Sequence, residues 1–151
     1  MITSGGRRRE RGLLVVDTSG LIALIDRGHD LHAVAAAVVA SDRGPFYLSP
    51  FVLQEIDYLV SGRLGAREAL SVLDEVASGA LQLEPFDARD LAVASAAMKR
   101  YADMRLGLAD ASIVVIAARS GTDRVLTLDE RHFRAVRPLQ GGAFTILPAD
   151  A

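Results

Sequence analysis

Leu13-Leu14-Val15-Val16-Asp17-Thr18-Ser19-Gly20 carries the clearest structural signal in the chain. Four consecutive apolar residues without polar alternation are typical of a short strand that is buried on both faces. Residues 17–20 supply a turn and a cap, and residues 21–25 are predicted to begin a helix. A doubly buried strand that leads directly into a helix indicates an α/β protein with a parallel sheet.

The rest of the chain repeats this alternation of strand and helix. Further strands are predicted at 46–48, 80–84, 124–128 and 144–147, and helices at 31–40, 50–60, 64–78, 88–101 and 108–119. The predicted N-caps are Asp30, Ser49 and Asp87, and the predicted terminating glycines are Gly62, Gly79 and Gly121. The alternation predicts an α/β/α sandwich with a mainly parallel central sheet of about five strands.

Length and composition limit the class of protein. The chain has 151 residues, no cysteine and a formal net charge of −2. We therefore expect a single domain over 13–148, without disulfides or thiolate chemistry, and with no overall basic field. No apolar stretch is long enough for a membrane span, and a cytoplasmic protein is expected. Residues 1–12 are basic and rich in glycine and are interpreted as a flexible leader.

Four acidic residues are predicted to meet at one edge of the sheet. Asp17 and Asp129 directly follow predicted strands, so both lie at the carboxyl edge, where ligands bind in open α/β sheets. Asp110 lies in the first turn of an apolar helix, and Glu55 lies in the helix after the second strand. Each acid alone could be a helix cap or a solvated charge. Their joint placement is harder to explain in that way.

Crowded carboxylates raise one another's pKa, and a divalent cation removes that cost. Oxygen ligands suit Mg²⁺ or Mn²⁺, with waters and phosphate completing the coordination. Such an ion can lower the pKa of a bound water and stabilise charge on a phosphodiester. The four acids therefore predict a metal site with hydrolytic chemistry.

At this point the sequence resembles a known family, the PIN domains, and more narrowly the VapC toxins of bacterial type II toxin–antitoxin modules. The resemblance covers about residues 13–148. The motifs that carry it are Val16-Asp17-Thr18-Ser19, Ser49-Pro50-Phe51-Val52-Leu53-Gln54-Glu55, Leu106-Gly107-Leu108-Ala109-Asp110-Ala111 and Leu126-Thr127-Leu128-Asp129-Glu130-Arg131-His132-Phe133. Any one of them is weakly specific, whereas four in this order are specific together.

The resemblance implies roles for these residues. The matching metal ligands and catalytic residues, for one or two Mg²⁺ or Mn²⁺ ions, are Asp17, Glu55, Asp110 and Asp129. Ser19 and Thr127 match hydroxyls that hydrogen-bond the carboxylates or a water. The implied activity is endonucleolytic cleavage of structured RNA, tRNA or rRNA, which inhibits translation. The implied partners are a VapB-type antitoxin and a second copy of the chain.

Several neighbouring residues are weaker candidates. Asp103, in a predicted loop, could be an accessory metal ligand or could hold that loop. Charged residues just after Asp129 could contact RNA phosphates or could be ordinary solvated charge. These are Arg131, His132, Arg134 and Arg137. A PIN-type site needs no histidine base, so a surface or capping role is expected for His132.

Other acidic α/β sites fit the sequence less well. A haloacid-dehalogenase-like phosphatase needs a second aspartate where Ser19 stands. A response-regulator receiver needs a lysine at a late strand end, but the only lysine, Lys99, lies in a predicted helix. Two alternatives remain: a PIN nuclease in general RNA processing, and a non-catalytic PIN interaction module. All four acids are present, which favours the enzyme.

Overall fold

The computed structural model describes residues 12–151, so the predicted leader lies outside the described residues except for Gly12. A five-stranded sheet forms the centre of the protein. Its strands are β1 (Leu14–Val16), β2 (Phe46–Leu48), β3 (Gln82–Leu83), β4 (Arg124–Leu126) and β5 (Thr145–Leu147). All pairings are parallel, in the order β3-β2-β1-β4-β5. The predicted α/β sandwich is confirmed, and its sheet is wholly parallel.

The helices alternate with these strands. They are α1 (Thr18–Ile25), α2 (His32–Ser41), α3 (Pro50–Arg63), α4 (Ala66–Ala77), α5 (Ala88–Arg100), α6 (Leu108–Ser120) and α7 (Glu130–Ala135), with a 3₁₀ turn at Ala102–Met104. The β1 residues are fully buried, as the unbroken apolar run predicts. Helix α6 is buried over most of its length and packs on β1, α3 and α5. It ends at Gly121, whose φ of 70° confirms the predicted glycine cap.

Two predicted helix ends are wrong. Gly62 does not end α3, which continues to Arg63. The chain instead turns at Gly65, whose φ of 105° only glycine adopts readily, and its N–H donates to the Val60 carbonyl. Asp30 is not the N-cap of α2, because that position belongs to Leu31. The first hydrogen bond of α2 runs from the Ala35 N–H to the Leu31 carbonyl at 3.0 Å, so this helix begins one residue later than a cap at Asp30 would set it.

Other predicted boundaries need small changes. The strand predicted at 80–84 is only Gln82–Leu83, and the strand predicted at 124–128 ends at Leu126. The predicted caps Ser49 and Asp87 are confirmed, since their side chains accept hydrogen bonds from the first turns of α3 and α5. Within residues 12–151, no helix is long and apolar enough to cross a membrane.

Candidate acidic site

The four acids line one cavity at the carboxyl edge of the sheet. Its volume is about 380 Å³, and it is lined by Asp17, Glu55, Asp110 and Asp129 among others. It opens beside the ends of β1 and β4, the neighbouring strands at which the chain order of the sheet reverses. Such a switch point is where open α/β sheets bind ligands, because the connections on either side diverge there.

Asp17 is the most firmly held of the four. It is 4% exposed, and it caps α1 by accepting the Thr18 N–H at 2.7 Å. Its Oδ2 accepts hydrogen bonds from the hydroxyls of Thr127 at 2.6 Å and Ser19 at 3.3 Å. The structure therefore places both predicted hydroxyls on this carboxylate. The predicted cap is confirmed and uses Oδ1, whereas the hydroxyls contact Oδ2; the role of Asp17 as a metal ligand stays a prediction.

A close approach of α1 to β4 brings these hydroxyls together. A Cβ on Gly20 would lie 2.4 Å from the Leu126 carbonyl oxygen, so only glycine fits at this position. The contact places the Ser19 hydroxyl where it accepts the Leu128 N–H at 2.8 Å. Thr127 in turn accepts the Asp129 N–H at 3.0 Å. One hydrogen-bonded network thus connects the loops that carry Asp17 and Asp129.

Glu55 lies on the rim of the cavity. It is exposed on α3, and its Oε2 accepts a hydrogen bond of 2.6 Å from the Thr18 hydroxyl. Thr18 therefore connects the first helix to the acid that sequence position leaves most ambiguous. The bond holds the exposed carboxylate at the rim of the cavity that the other three acids line.

A buried pair of serines connects the helices that carry Glu55 and Asp110. Ser49 caps α3, and its hydroxyl lies 2.6 Å from that of Ser112 in α6. Ser112 donates to the Ala109 carbonyl at 2.6 Å, so the Ser49 proton must point to Ser112. Both serines are fully buried. The pair fixes the start of α6, and with it Asp110, against the start of α3.

His132 lies in the acidic site and is not the surface or capping histidine that the sequence predicts. Its Nδ1 lies 3.0 Å from Oδ2 of Asp129 and 3.2 Å from Oδ2 of Asp110. These distances are short enough for an ion pair, but the ring is not oriented for a hydrogen bond to either oxygen. We therefore treat the contacts as electrostatic. α7 brings the histidine here, because Asp129 is the N-cap of this helix and accepts a hydrogen bond from the backbone N–H of His132.

The carboxylates raise one another's pKa. Burial and the charge of Asp17 raise the pKa of Asp110 to about 6, with smaller contributions from Asp129 and Glu55 and an opposing one from His132. Burial also raises the pKa of Asp17, although its hydrogen bonds from Thr127, Thr18 and Ser19 act in the opposite direction. The site therefore holds more negative charge than its surroundings stabilise.

This arrangement suits a divalent cation in charge and in donor type. The carboxylate oxygens are hard donors, which Mg²⁺ and Mn²⁺ prefer, and a cation would relieve the repulsion that raises the pKa of Asp110. Within residues 12–151, however, no group of three acidic or histidine side chains is already arranged to hold a metal ion. Mg²⁺ needs only one or two carboxylates when water and phosphate supply the other ligands. The residues present therefore fit such an ion, without a complete cage.

Several predicted residues do not reach the cavity. Asp103 is exposed in the 3₁₀ turn and does not line it. Arg134 lies on the outer side of α7, where it pairs with Asp150 at 2.6 Å and Glu130 at 3.4 Å. Arg131 is exposed, and Arg137 lines a different groove. None of these three arginines lines the acidic cavity, and their contact with RNA stays a prediction.

Other residues of the cavity were missed by sequence reasoning. Leu59 and Arg63 line it together with Glu55, at a spacing of four residues along α3. That spacing places all three on one helix face, so it could have revealed them. His29, in the loop before α2, also lines the cavity, and no local pattern indicates it. Arg63 brings a cationic group to an otherwise acidic wall.

Comparison with known proteins agrees with this geometry. The sequence profile of the PIN domain matches residues 14–138. The chain is 42% identical over 135 residues to Ribonuclease VapC26 of Mycobacterium tuberculosis, covering 89% of this chain and all of that protein. Among solved structures, VapC20 of the same organism, described as a Sarcin-Ricin loop cleaving toxin, aligns with a TM-score of 0.72 and 25% identity. That alignment covers 77% of this chain and 89% of VapC20.

A more distant structure shows the same fold. VapBC2 from Rickettsia felis, solved bound to a promoter DNA fragment, aligns with a TM-score of 0.65 at 18% identity, covering 89% of this chain and 98% of that one. The fold and the sequence match over most of the chain agree. The chain belongs to the PIN-domain family, and within it to the VapC proteins.

Proposed function

We propose that this protein is an endoribonuclease that depends on Mg²⁺ or Mn²⁺ and acts as the toxin of a VapBC module. The observation that carries the proposal is the convergence of Asp17, Glu55, Asp110 and Asp129 on one cavity at the switch point of the sheet. The 42% identity to a protein named a ribonuclease supports RNA as the substrate. A structured target, tRNA or rRNA, would connect the cleavage to inhibition of translation, and a relative described as cleaving the Sarcin-Ricin loop supports that choice.

The acidic residues and the hydroxyl residues of the site have different roles in this proposal. Asp17, Asp110 and Asp129 would hold the ion, with Glu55 at the rim. When bound, such an ion supplies charge that lowers the pKa of water and stabilises the phosphate during displacement. Thr127 and Ser19 keep Asp17 in one orientation through the hydrogen bonds to its Oδ2. Thr18 holds Glu55 toward the cavity.

Arg63 is suited to bind the substrate. It is an exposed guanidinium on the last turn of α3, and it lines the acidic cavity. A polyanion that approaches four carboxylates is repelled unless cations offset their charge. Arginine binds phosphate with two parallel hydrogen bonds. Arg63 therefore positions the RNA backbone at the mouth of the site.

An RNA cleavage assay tests the proposal. Wild type should cleave cellular RNA with Mg²⁺ or Mn²⁺ and lose that activity in EDTA. Asp17→Ala and Asp110→Ala should each be inactive, while Asp74→Ala, on the exposed surface of α4, should match wild type. Cleavage that persists in EDTA, or at full rate in both site variants, would contradict the proposal. Because toxins of this kind can be selective, total RNA with mapping of the new ends is the suitable substrate.

A growth assay tests the toxin role. Expression of the chain should arrest growth, and co-expression of an adjacent antitoxin gene should restore it. The solved VapBC assemblies among its structural relatives support an antitoxin partner, and the family resemblance implies a toxin dimer. Normal growth despite soluble, RNA-cleaving protein would instead favour a nuclease of general RNA processing.

A further inference from the structure

A second groove lies on another part of the surface. It has a volume of about 350 Å³ and runs between α5 and the loop that joins α7 to β5. α5 and its C-cap contribute Arg100 and Tyr101, and the loop contributes Arg137 and Leu139. None of these residues lines the acidic cavity, so the two sites are separate.

The groove is locally basic on a protein of net negative charge. Arg100 and Arg137 are both exposed, and the lining residues within 12–151 include no carboxylate. No ion pair in that part of the chain involves either arginine, whereas Arg119, Arg124 and Arg134 are each paired with an aspartate. The two groove arginines are therefore available to an external anion.

An aromatic ring lies beside these charges. The Arg100 guanidinium lies 5.6 Å from the centre of the Tyr101 ring. The Tyr101 hydroxyl accepts a hydrogen bond of 3.2 Å from the backbone N–H of Arg137. Val93 and Leu139, 41% and 49% exposed, add apolar surface along the groove. An aromatic face combined with guanidinium groups is the chemistry that binds single-stranded RNA, because bases stack on the ring while phosphates contact the cations.

The groove lies close to the acidic site along the chain. α7 begins directly after Asp129, and Arg137 follows its C-cap Val136. The six-residue helix α7 and its C-cap are therefore all that separates Asp129 from Arg137 along the chain.

We propose that this groove is a second RNA-binding subsite, in which Tyr101 stacks on a base while Arg100 and Arg137 contact phosphates of a single-stranded segment flanking the cleavage position. The choice of RNA as the ligand rests on the proposed function. The absence of acids along the groove and the two exposed arginines favour a polyanion over a protein segment. The subsite would select RNAs that have an unpaired stretch flanking the cleavage position.

Fluorescence anisotropy with the full chain tests this proposal. The probe is a short, labelled, single-stranded RNA of mixed sequence, and EDTA prevents cleavage. The double variant Arg100→Gln/Arg137→Gln should reduce the slope of log affinity against log salt by about 1.4, since each phosphate contact to a single strand contributes about 0.7. Tyr101→Leu should weaken binding about tenfold, whereas Tyr101→Phe, which keeps the ring, should bind as wild type does.

Arg89→Gln is the matched control, because Arg89 is exposed on the same helix but does not line the groove. Equal losses in Arg89→Gln and in the groove variants would overturn the subsite, as would unchanged binding in the double variant. A change of oligomeric state in the groove variants, measured by light scattering, with RNA binding retained would show a protein interface instead. The arginine variants stay informative even if Tyr101→Leu does not fold.

A parallel cleavage assay separates this proposal from the proposed function. If wild type binds RNA through the groove but does not cleave it with Mn²⁺, the proposed nuclease activity is contradicted and the subsite is supported. If wild type cleaves RNA and the groove variants bind RNA as tightly as wild type does, the subsite is contradicted and the proposed nuclease activity is supported. Wild type that neither binds nor cleaves RNA contradicts both.

Discussion

Nδ1 of His132 lies 3.2 Å from Oδ2 of Asp110, across the gap between α7 and α6. The same nitrogen lies 3.0 Å from Oδ2 of Asp129. One imidazole thus contacts two of the four carboxylates of the acidic site. The contact lowers the pKa of Asp110, in opposition to burial and to the neighbouring acids.

Replacement of His132 should therefore move the titration of Asp110. His132→Gln removes the partner that lowers the pKa of Asp110, so that pKa should rise. Glu55→Gln removes a charge that raises it, so the pKa should fall. Carboxyl-carbon NMR of metal-free protein measures both changes. The same direction of change in both variants would show that rearrangement, and not charge, controls the titration.

Asp110→Asn should stabilise the metal-free protein at neutral pH while it abolishes RNA cleavage. Because the folded-state pKa of Asp110 is raised to about 6, the folded state binds this proton more tightly than the unfolded chain does. Stability therefore falls as the pH rises from about 4 to about 6, and the full penalty remains above that range. Removal of the charge should add about 1–2 kcal/mol to the free energy of unfolding near neutral pH, with solvent screening included.

Urea unfolding in EDTA at several pH values measures this difference. The advantage of Asp110→Asn should shrink as the pH falls from about 6 to about 4, and it should be largely lost below about pH 4, where the wild-type carboxyl group is protonated in both states. An advantage that does not depend on pH would mean that packing, and not charge crowding, is responsible.

Thr127→Val should damage both stability and activity. The Thr127 hydroxyl donates to Asp17 and accepts the Asp129 N–H, and the residue is 1% exposed. Its loss removes the shorter of the two hydroxyl hydrogen bonds to Asp17 Oδ2 and the acceptor of the Asp129 N–H, at about 1–3 kcal/mol. Thr127→Ser keeps the hydroxyl and serves as the control. The unfolding temperature and the cleavage rate should both be highest in wild type, lower in Thr127→Ser and lowest in Thr127→Val. Equal values in the two variants would show that the hydroxyl network contributes to neither stability nor activity.

The serine pair makes a separate prediction about stability. Ser112→Ala leaves the buried Ser49 hydroxyl proton without an acceptor, which should cost about 1–3 kcal/mol. Ser49→Ala removes the cap of α3, at about 0.5–2 kcal/mol, but leaves Ser112 bonded to Ala109. The double variant should cost less than the sum of the two. Ser95→Ala, exposed on α5, should be nearly neutral; strictly additive losses would argue against a coupled pair.

The strand ends explain how much of the site the sequence predicts. Asp17 and Asp129 follow buried apolar strands, and parallel strands end at a common edge, so local pattern alone places both acids. Asp110 follows from the start of an apolar helix. Glu55 depended on the family resemblance, because its orientation is set by the Thr18 hydroxyl of another helix.

The errors have a common physical origin. His132 was expected at the surface and Arg134 near the acids. In the structure, α7 places His132 against Asp110 and places Arg134 against Asp150, away from the cavity. Arg134 is held by Asp150, a residue after the last strand whose position no local pattern predicts. Contacts between residues that are distant in sequence decide side-chain direction, whereas periodicity decides only which element a residue joins.

The central claim is that the four carboxylates form one site for a divalent ion. Isothermal titration of the full chain with Mn²⁺ tests it most directly. Wild type should bind Mn²⁺, Asp17→Asn and Asp129→Asn should each lose about tenfold or more in affinity, and Asp74→Asn on α4 should bind as wild type does. Equal Mn²⁺ affinity in wild type and in both site variants would contradict the claim.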